Sequence, residues 1–168
     1  MNSTMNKMLL FFCLILAGFM AKAQKPELVN GLYYKNSMLY TGTYEEHHPN
    51  GSLLIVQQIR NGQEHGNVDL YYAGGTPQEH REFNNGMKTG VWLKWNEAGI
   101  LVAEAGYQNN LKHGTWIIRN DKGVKLYEMH YTEGRKSGIW QQWNELGEPV
   151  MERNYDTVSN PPVANPEP

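Results

Sequence analysis

Short segments rich in apolar residues alternate with turn residues along most of the chain. Residues 91–97 (VWLKWNE) and 139–145 (IWQQWNE) are rich in aromatic and β-branched side chains, which favour strands. Residues 101–108 (LVAEAGYQ) and 125–132 (KLYEMHYT) have the same preference. The glycines between these segments leave no stretch long enough for an ordinary helix. The pattern therefore predicts two short strands per unit, joined as a β-hairpin.

Glycines recur with a period of 24 residues. A second set follows the first by nine residues, and a third lies 20 residues into each unit, where Asn110 once replaces glycine. Asn61-Gly62 and Asn85-Gly86 are strong hairpin signals, because both residue types adopt positive φ at low cost. We therefore interpret the glycines as turn residues, and we predict a positive φ for Asn110 as well. The first set comprises Gly42, Gly66, Gly90, Gly114 and Gly138.

Large side chains recur at fixed positions of the same unit. Equivalent residues of successive hairpins lie about 9–10 Å apart in a sheet, so rings at these positions are expected to pack in a row. Such a row would supply much of the apolar burial of a sheet that has no second layer. We predict an all-β fold, an elongated single-layer antiparallel meander of about five β-hairpin repeats. Two residues after the first glycine stand Tyr44, Val68, Trp92, Trp116 and Trp140, and 17 residues after it stand Ile59, Phe83, Tyr107, Tyr131 and Tyr155.

The two ends of the chain lack this repeat. Residues 1–23 contain an uncharged apolar run and end in Ala-Lys-Ala, which predicts a signal peptide cleaved after Ala23 and a periplasmic or secreted protein. An uncleaved membrane anchor is the alternative. Residues 24–41 are expected to form an N-terminal cap strand, and residues 42–156 the repeats. Residues 157–168 are Pro-rich and are expected to be a disordered tail.

The charge and cysteine content of the exported chain exclude several classes of function. Removal of residues 1–23 takes the net charge from −2 to −4, because it removes Lys7, Lys22 and no acidic residue. An acidic chain is a poor binder of nucleic acid and of anionic lipid, so we expect no nucleic-acid partner and no membrane association beyond export. Cys13 is the only cysteine, and the mature chain therefore has no disulfide, no thiolate nucleophile and no thiolate metal ligand.

The repeats resemble a known family. The phrases GVWLKWNEAGILVAEAGYQNNLKHG and GTWIIRNDKGVKLYEMHYTEGRKSG are similar to the MORN-repeat variant of bacterial proteins that include the YwqK-like antitoxins. The resemblance covers about residues 31–155, and Val68 departs from it where the other units favour an aromatic ring. It implies an elongated sheet of stacked hairpins that serves protein or membrane contacts. It implies no particular activity.

No pattern in the sequence indicates catalysis, a cofactor or a metal ion. Three glutamates occupy one position of the repeat, roughly 10 Å apart, but equivalent positions are expected to give equivalent environments, whereas a catalytic pair needs two different ones. We interpret them as cross-strand partners of Arg or Lys, or as charges that keep the sheet soluble. The histidines of the mature chain form no pair at helical spacing, and we expect them in solvated loops and strands. The glutamates are Glu104, Glu128 and Glu152, and the histidines are His47, His48, His65, His80, His113 and His130.

Binding residues are expected where the units differ. Tyr71, Trp95 and Trp143 lie five residues after the first glycine, at a position that is His47 or Arg119 in other units. Strand alternation places them on the sheet face opposite the Trp92, Trp116 and Trp140 row, unless a bulge intervenes. We predict a non-catalytic, exported interaction module that binds an unknown protein partner. The alternatives are a glycan- or cell-wall-binding module that uses the aromatic row, and an antitoxin-like inhibitor of a protein.

A row of lysines precedes each unit. Lys88, Lys112 and Lys136 recur just before successive repeats. We interpret them as charges that keep the sheet soluble, and contact with an anionic polymer or with headgroups is the alternative.

Overall fold

The protein, seen in a computed structural model, is described from residue 25 to residue 156. The predicted signal peptide, its cleavage after Ala23 and the predicted tail at 157–168 lie outside these residues. Within the described range the protein is all-β, with thirteen strands. The strands are β1 (Glu27–Val29), β2 (Leu32–Lys35), β3 (Met38–Leu39), β4 (Gly42–His47), β5 (Leu53–Arg60), β6 (Gln63–Tyr71), β7 (Pro77–Asn84), β8 (Met87–Trp95), β9 (Leu101–Gln108), β10 (Leu111–Arg119), β11 (Lys125–Thr132), β12 (Arg135–Trp143) and β13 (Pro149–Asn154).

Strands β4 to β13 form one ten-stranded sheet in which every strand pairs with its neighbours in sequence. All the pairs are antiparallel, and β4 and β13 are the two edges of the open sheet. The predicted fold, an antiparallel meander of β-hairpins in a single layer, is therefore confirmed.

The chain before Gly42 differs from the single cap strand expected there. Strands β1, β2 and β3 pair among themselves as a separate small sheet. The reason is local, because Asn30-Gly31 and Asn36-Ser37 have positive φ and reverse the chain twice. The backbone of Gly62 joins this small sheet to the first long hairpin, since Tyr33 N donates to Gly62 O at 2.8 Å and Gly62 N to Tyr40 O at 2.8 Å.

Two sets of glycines form turns, as predicted. The two-residue turns at one end of the sheet have positive φ at both residues, which matches the right-handed twist of the paired strands. Asn110, with φ 67°, occupies such a turn, which confirms the prediction for this residue. The loops at the opposite end are longer, and Gly99 N donates there to Asn96 O at 2.9 Å.

The interpretation of the first glycine set as turn residues is wrong. Gly42 is the first residue of β4, and Gly66, Gly90, Gly114 and Gly138 lie inside strands. Each of these four sits at a β-bulge with φ between 61° and 94°. In β10, for example, residues 113–115 face the single residue Gly106 of β9. The extra residues force one of them into the left-handed region, and glycine takes that conformation at least cost.

The bulge also explains the tryptophan two residues later. A bulge disrupts the ladder of backbone hydrogen bonds, and a side-chain donor nearby can bond to a carbonyl of the facing strand. Trp116 Nε1 donates to Gly106 O at 2.9 Å, and Gly106 is the residue that faces the bulge. Trp92 and Trp140 make the equivalent bonds at 3.1 and 3.0 Å. Tyrosine and phenylalanine carry no donor at this place in the ring, so the Gly-x-Trp phrase is a bulge together with its hydrogen-bond donor.

The predicted row of rings is continuous. Successive centroids are 4.7 to 5.6 Å apart, which is within the range of favourable tilted and edge-to-face ring pairs. We call this row the aromatic ladder and its side of the sheet the ladder face. The most buried side chains, Gln57, Ile59, Val68 and Phe83, lie at its N-terminal end. The ladder comprises Phe83, Trp92, Tyr107, Trp116, Tyr131, Trp140 and Tyr155.

Candidate functional site

The predicted binding residues lie on the face opposite the aromatic ladder. Trp92 is paired with Ala105 and Leu93 with Glu104, so these two neighbours on β8 point to opposite sides of the sheet. Trp95 follows Leu93 by two residues and shares its side. We call this side the Trp95 face. It carries, at the equivalent position of each unit, His47, Tyr71, Trp95, Arg119 and Trp143.

The rings of the ladder face are largely covered by other side chains of the protein. Lys112 Nζ lies 4.3 Å from the ring centroid of Trp116 and 4.9 Å from that of Tyr131, and Lys88 and Lys136 make the same pair of contacts in their own units. Burial raises the pKa of Tyr107 and of Tyr131, so both phenols stay neutral at physiological pH. The lysines therefore cover the aromatic ladder in addition to carrying charge.

On the Trp95 face, Tyr71 and Trp95 line one open cleft of about 290 Å³. Leu93 contributes apolar surface to the cleft, and Asp69 and His80 contribute polar groups. His80 Nδ1 lies 2.6 Å from Asp69 Oδ1, and the two residues are directly paired across β6 and β7. The cleft thus combines two aromatic rings, an apolar surface and a carboxylate, which is a composition suited to binding a partner.

The third predicted residue, Trp143, does not belong to this cleft. Arg119 stands between Trp95 and Trp143 in the row, and its Nη2 donates to Glu104 Oε1 at 2.5 Å. The Nζ atom of Lys125 lies 4.0 Å from the ring centroid of Trp143. The structure therefore brings two of the three residues together and fills the third site with a side chain of the protein itself.

The three glutamates at one position of the repeat have three different neighbours. Glu104 accepts a hydrogen bond from Arg119, Glu128 from Lys125 at 2.6 Å, and Glu152 from Gln141 Nε2 at 3.0 Å. The expectation that equivalent positions have equivalent environments is therefore wrong, because the residues beside each glutamate vary between units. One of these bonds, Arg119 to Glu104 between β10 and β9, is the cross-strand contact with Arg or Lys that the sequence indicated, whereas Lys125 and Glu128 lie on the same strand.

Sequence reasoning did not assign Asp69, Leu93 and Pro77 to a site, and it placed His80 among solvated residues. A signal existed, because both positions differ from their equivalents in the next unit: Asp69 corresponds to Leu93, and His80 to Glu104. In the structure His80 and Asp69 are paired directly. The pairing register that brings them into one cleft is set by the bulges, which sequence reasoning had not identified.

Across residues 25–156 no group of three or more His, Cys, Asp or Glu side chains comes together as a possible metal site. The same part of the chain contains no helix long and apolar enough to cross a membrane. The sequence matches no protein-family model and no curated protein. The resemblance to the MORN-repeat variant therefore stays a prediction.

Proposed function

We propose that the protein is a non-catalytic interaction module that is exported to the periplasm or secreted, and that its Trp95 face binds a protein partner. One observation carries the proposal. The sheet has a single layer, and its ladder face is filled by its own rings and lysines, whereas its Trp95 face has an open cleft with two partly exposed aromatic rings. Aromatic residues beside apolar and polar groups are the usual anchors of protein interfaces. Inhibition of an enzyme, as in an antitoxin, would be one form of such binding.

Glycan binding is the second candidate. Tyr71 and Trp95 lie in one cleft beside Asp69, and sugar-binding surfaces also combine rings with hydrogen-bonding groups. A long sugar chain on an aromatic row requires successive rings to be open. Here Arg119 interrupts the row, and Lys125 covers Trp143. These contacts favour a protein partner, which needs one local anchor, over an extended glycan.

We expect Trp95→Ala to reduce photo-crosslinking of the protein to its partner about tenfold or more, because truncating a central aromatic anchor typically has such an effect. Tyr127→Ala is the matched control. Tyr127 is also an aromatic residue with an exposed side chain, but it is paired with Ile118 and lies on the ladder face. The measurement is quantitative crosslinking in extracts of the cell envelope, with the melting temperature of each variant determined in parallel.

The outcome separates the two candidates. Full crosslinking by a folded Trp95→Ala variant would contradict the assignment of the Trp95 face. Retention of the unsubstituted protein on purified cell-wall polysaccharide, lost in Trp95→Ala, would support the glycan candidate instead.

A further inference from the structure

The contacts of Trp143 show which kind of chemical group packs against a ring at this position of the repeat. The Lys125 ammonium lies over the Trp143 ring, 4.0 Å from its centroid. Glu128 Oε2 holds the same ammonium at 2.6 Å. The two charged side chains are 38% and 27% exposed, so the cation is partly removed from water, which strengthens its attraction to the ring. The motif is an ammonium between an aromatic ring and a carboxylate.

Trp95 occupies the same position two repeats earlier, without the cation. Pro77 stands 48 residues before Lys125, at the equivalent position, and carries no charge. Among residues 25–156 no lysine or arginine lies over the Trp95 ring, although ten such contacts occur elsewhere. Pro77 lines the cleft beside Trp95, where Lys125 covers Trp143.

The carboxylate of the motif is present at a neighbouring position. His80 stands where Glu128 stands two repeats later, and its cross-strand partner is Asp69 in place of Ile117. Asp69 Oδ1 is paired with His80 Nδ1, and its Oδ2 makes no hydrogen bond with the described residues. The cleft therefore contains a ring and a carboxylate, the two groups that contact the cation at Trp143, with the carboxylate on the neighbouring strand, and Tyr71 supplies a second ring.

The charged groups around the cleft favour a cation. Glu82 Oε1 lies 3.8 Å from His80 Nε2 on the side away from Asp69. Glu79 also lines the cleft, and its carboxylate is paired with Arg81 and with Lys94. Carboxylates thus outnumber permanent cations here, and such a field attracts a basic group.

From these contacts we propose that the cleft formed by Asp69, Tyr71, Pro77, His80, Leu93 and Trp95 binds a lysine or arginine side chain of the partner protein. The inference rests on the proposed function and names the chemistry of the partner's contact. The partner's cation takes the place that Lys125 occupies in the Trp143 site. The Tyr71 and Trp95 rings lie against it, and Asp69 Oδ2 accepts its N–H bond.

The test uses a peptide of five lysines and the same peptide with every side chain acetylated. We expect the lysine peptide to shift the Trp95 indole N–H signal in two-dimensional NMR in a saturable manner, with the signal identified by its loss in Trp95→Phe. The acetylated peptide is expected to leave the Trp95 signal unshifted. The indole signals of Trp92 and Trp116 are expected to be unshifted by either peptide. Asp69→Asn is expected to lower the affinity for the lysine peptide about threefold, which is the effect typical of losing one partly exposed ion pair.

The most direct test is a variant in which a lysine of the protein itself occupies the cleft. Pro77→Lys combined with His80→Glu recreates the Lys125 and Glu128 pair beside Trp95. We expect this double variant to bind the lysine peptide about tenfold more weakly. The ammonium introduced at position 77 belongs to the protein itself and therefore competes with the peptide at high effective concentration. Pro77 is exposed at the first position of β7, and lysine already occupies that position in β11, so Pro77→Lys is compatible with the strand. Pro77→Gln, which adds a long uncharged side chain, is the control and is expected to retain binding.

An equal response to the acetylated peptide, or an unchanged response in the Pro77→Lys, His80→Glu variant, would overturn the inference. A response to chitohexaose and none to the lysine peptide would overturn it in favour of a glycan. These results are distinct from failure of the proposed function. If Trp95→Ala abolishes crosslinking to the partner but the cleft ignores the lysine peptide, the Trp95 face binds its partner through other chemistry.

Discussion

Trp116→Ala is expected to lower the free energy of unfolding by about 3 kcal/mol, as for other large aromatic truncations in packed surroundings. Trp116 lies in the middle of the aromatic ladder, with ring centroids 5.2 Å from Tyr107 and 5.6 Å from Tyr131. Its removal leaves a gap between the rings of Tyr107 and Tyr131 and exposes the ring surfaces that face it. It also removes the closest ring contact of Lys112. The measurement is chemical denaturation of the purified protein, monitored by circular dichroism.

Two controls separate the contributions of the ring and of the indole N–H. Trp116→Phe keeps an aromatic ring but loses the bond to Gly106 O, so we expect a loss of about 1 kcal/mol. Trp95→Ala removes the same side chain from outside the aromatic ladder and is expected to cost less than half as much as Trp116→Ala. An unchanged stability of Trp116→Ala would show that the aromatic ladder is not a structural element.

Gly114→Val is expected to lower the free energy of unfolding by about 2 kcal/mol through backbone strain alone. Gly114 has φ +74°, a conformation that a β-branched residue rarely adopts. A Cβ atom placed there would meet no other atom within 4 Å, so the Cβ atom itself is not crowded. Denaturation measured under the same conditions as for Trp116→Ala gives the comparison.

Gly74 provides a matched control for this substitution. Its φ lies outside the left-handed region, and a Cβ atom there also has open space around it. Gly74→Ala is therefore expected to leave stability nearly unchanged, and Gly114→Asn to cost less than Gly114→Val because asparagine tolerates positive φ. Equal stability of Gly114→Val and the unsubstituted protein would exclude the bulge in β10.

These two predictions concern one structural unit. At Gly114 the chain makes a bulge that faces Gly106 of β9, and Trp116 Nε1 donates to the Gly106 carbonyl. The glycine and the tryptophan recur together because the glycine forms the bulge and the tryptophan bonds to the backbone of the strand beside it. The second unit has Val68 at the tryptophan position and lacks this bond. Val68 is one of the most buried side chains of residues 25–156.

Some features were predictable from the sequence because they depend on neighbours along the chain. The positive φ of Asn110 follows from its place in a two-residue turn. The opposite orientation of Trp92 and Trp95 follows from strand alternation, because the β8 bulge ends at Trp92 and adds no residue between the two. The turns Asn30-Gly31 and Asn36-Ser37 carried the same kind of signal, and reading it would have predicted the three-stranded N-terminal sheet.

The sequence by itself determined the 24-residue unit, the antiparallel meander and the side of the sheet on which each ring lies. Turn chemistry and strand alternation are local, so these features follow from residues close together in the chain. Only the tertiary structure decided that Gly114 forms a bulge, that Lys125 covers Trp143 and that Trp95 stays open beside Asp69. These outcomes depend on the register between strands and on which side chains reach across it. The candidate site lies among those outcomes, because whether a ring is open depends on the side chain that the neighbouring strand places against it.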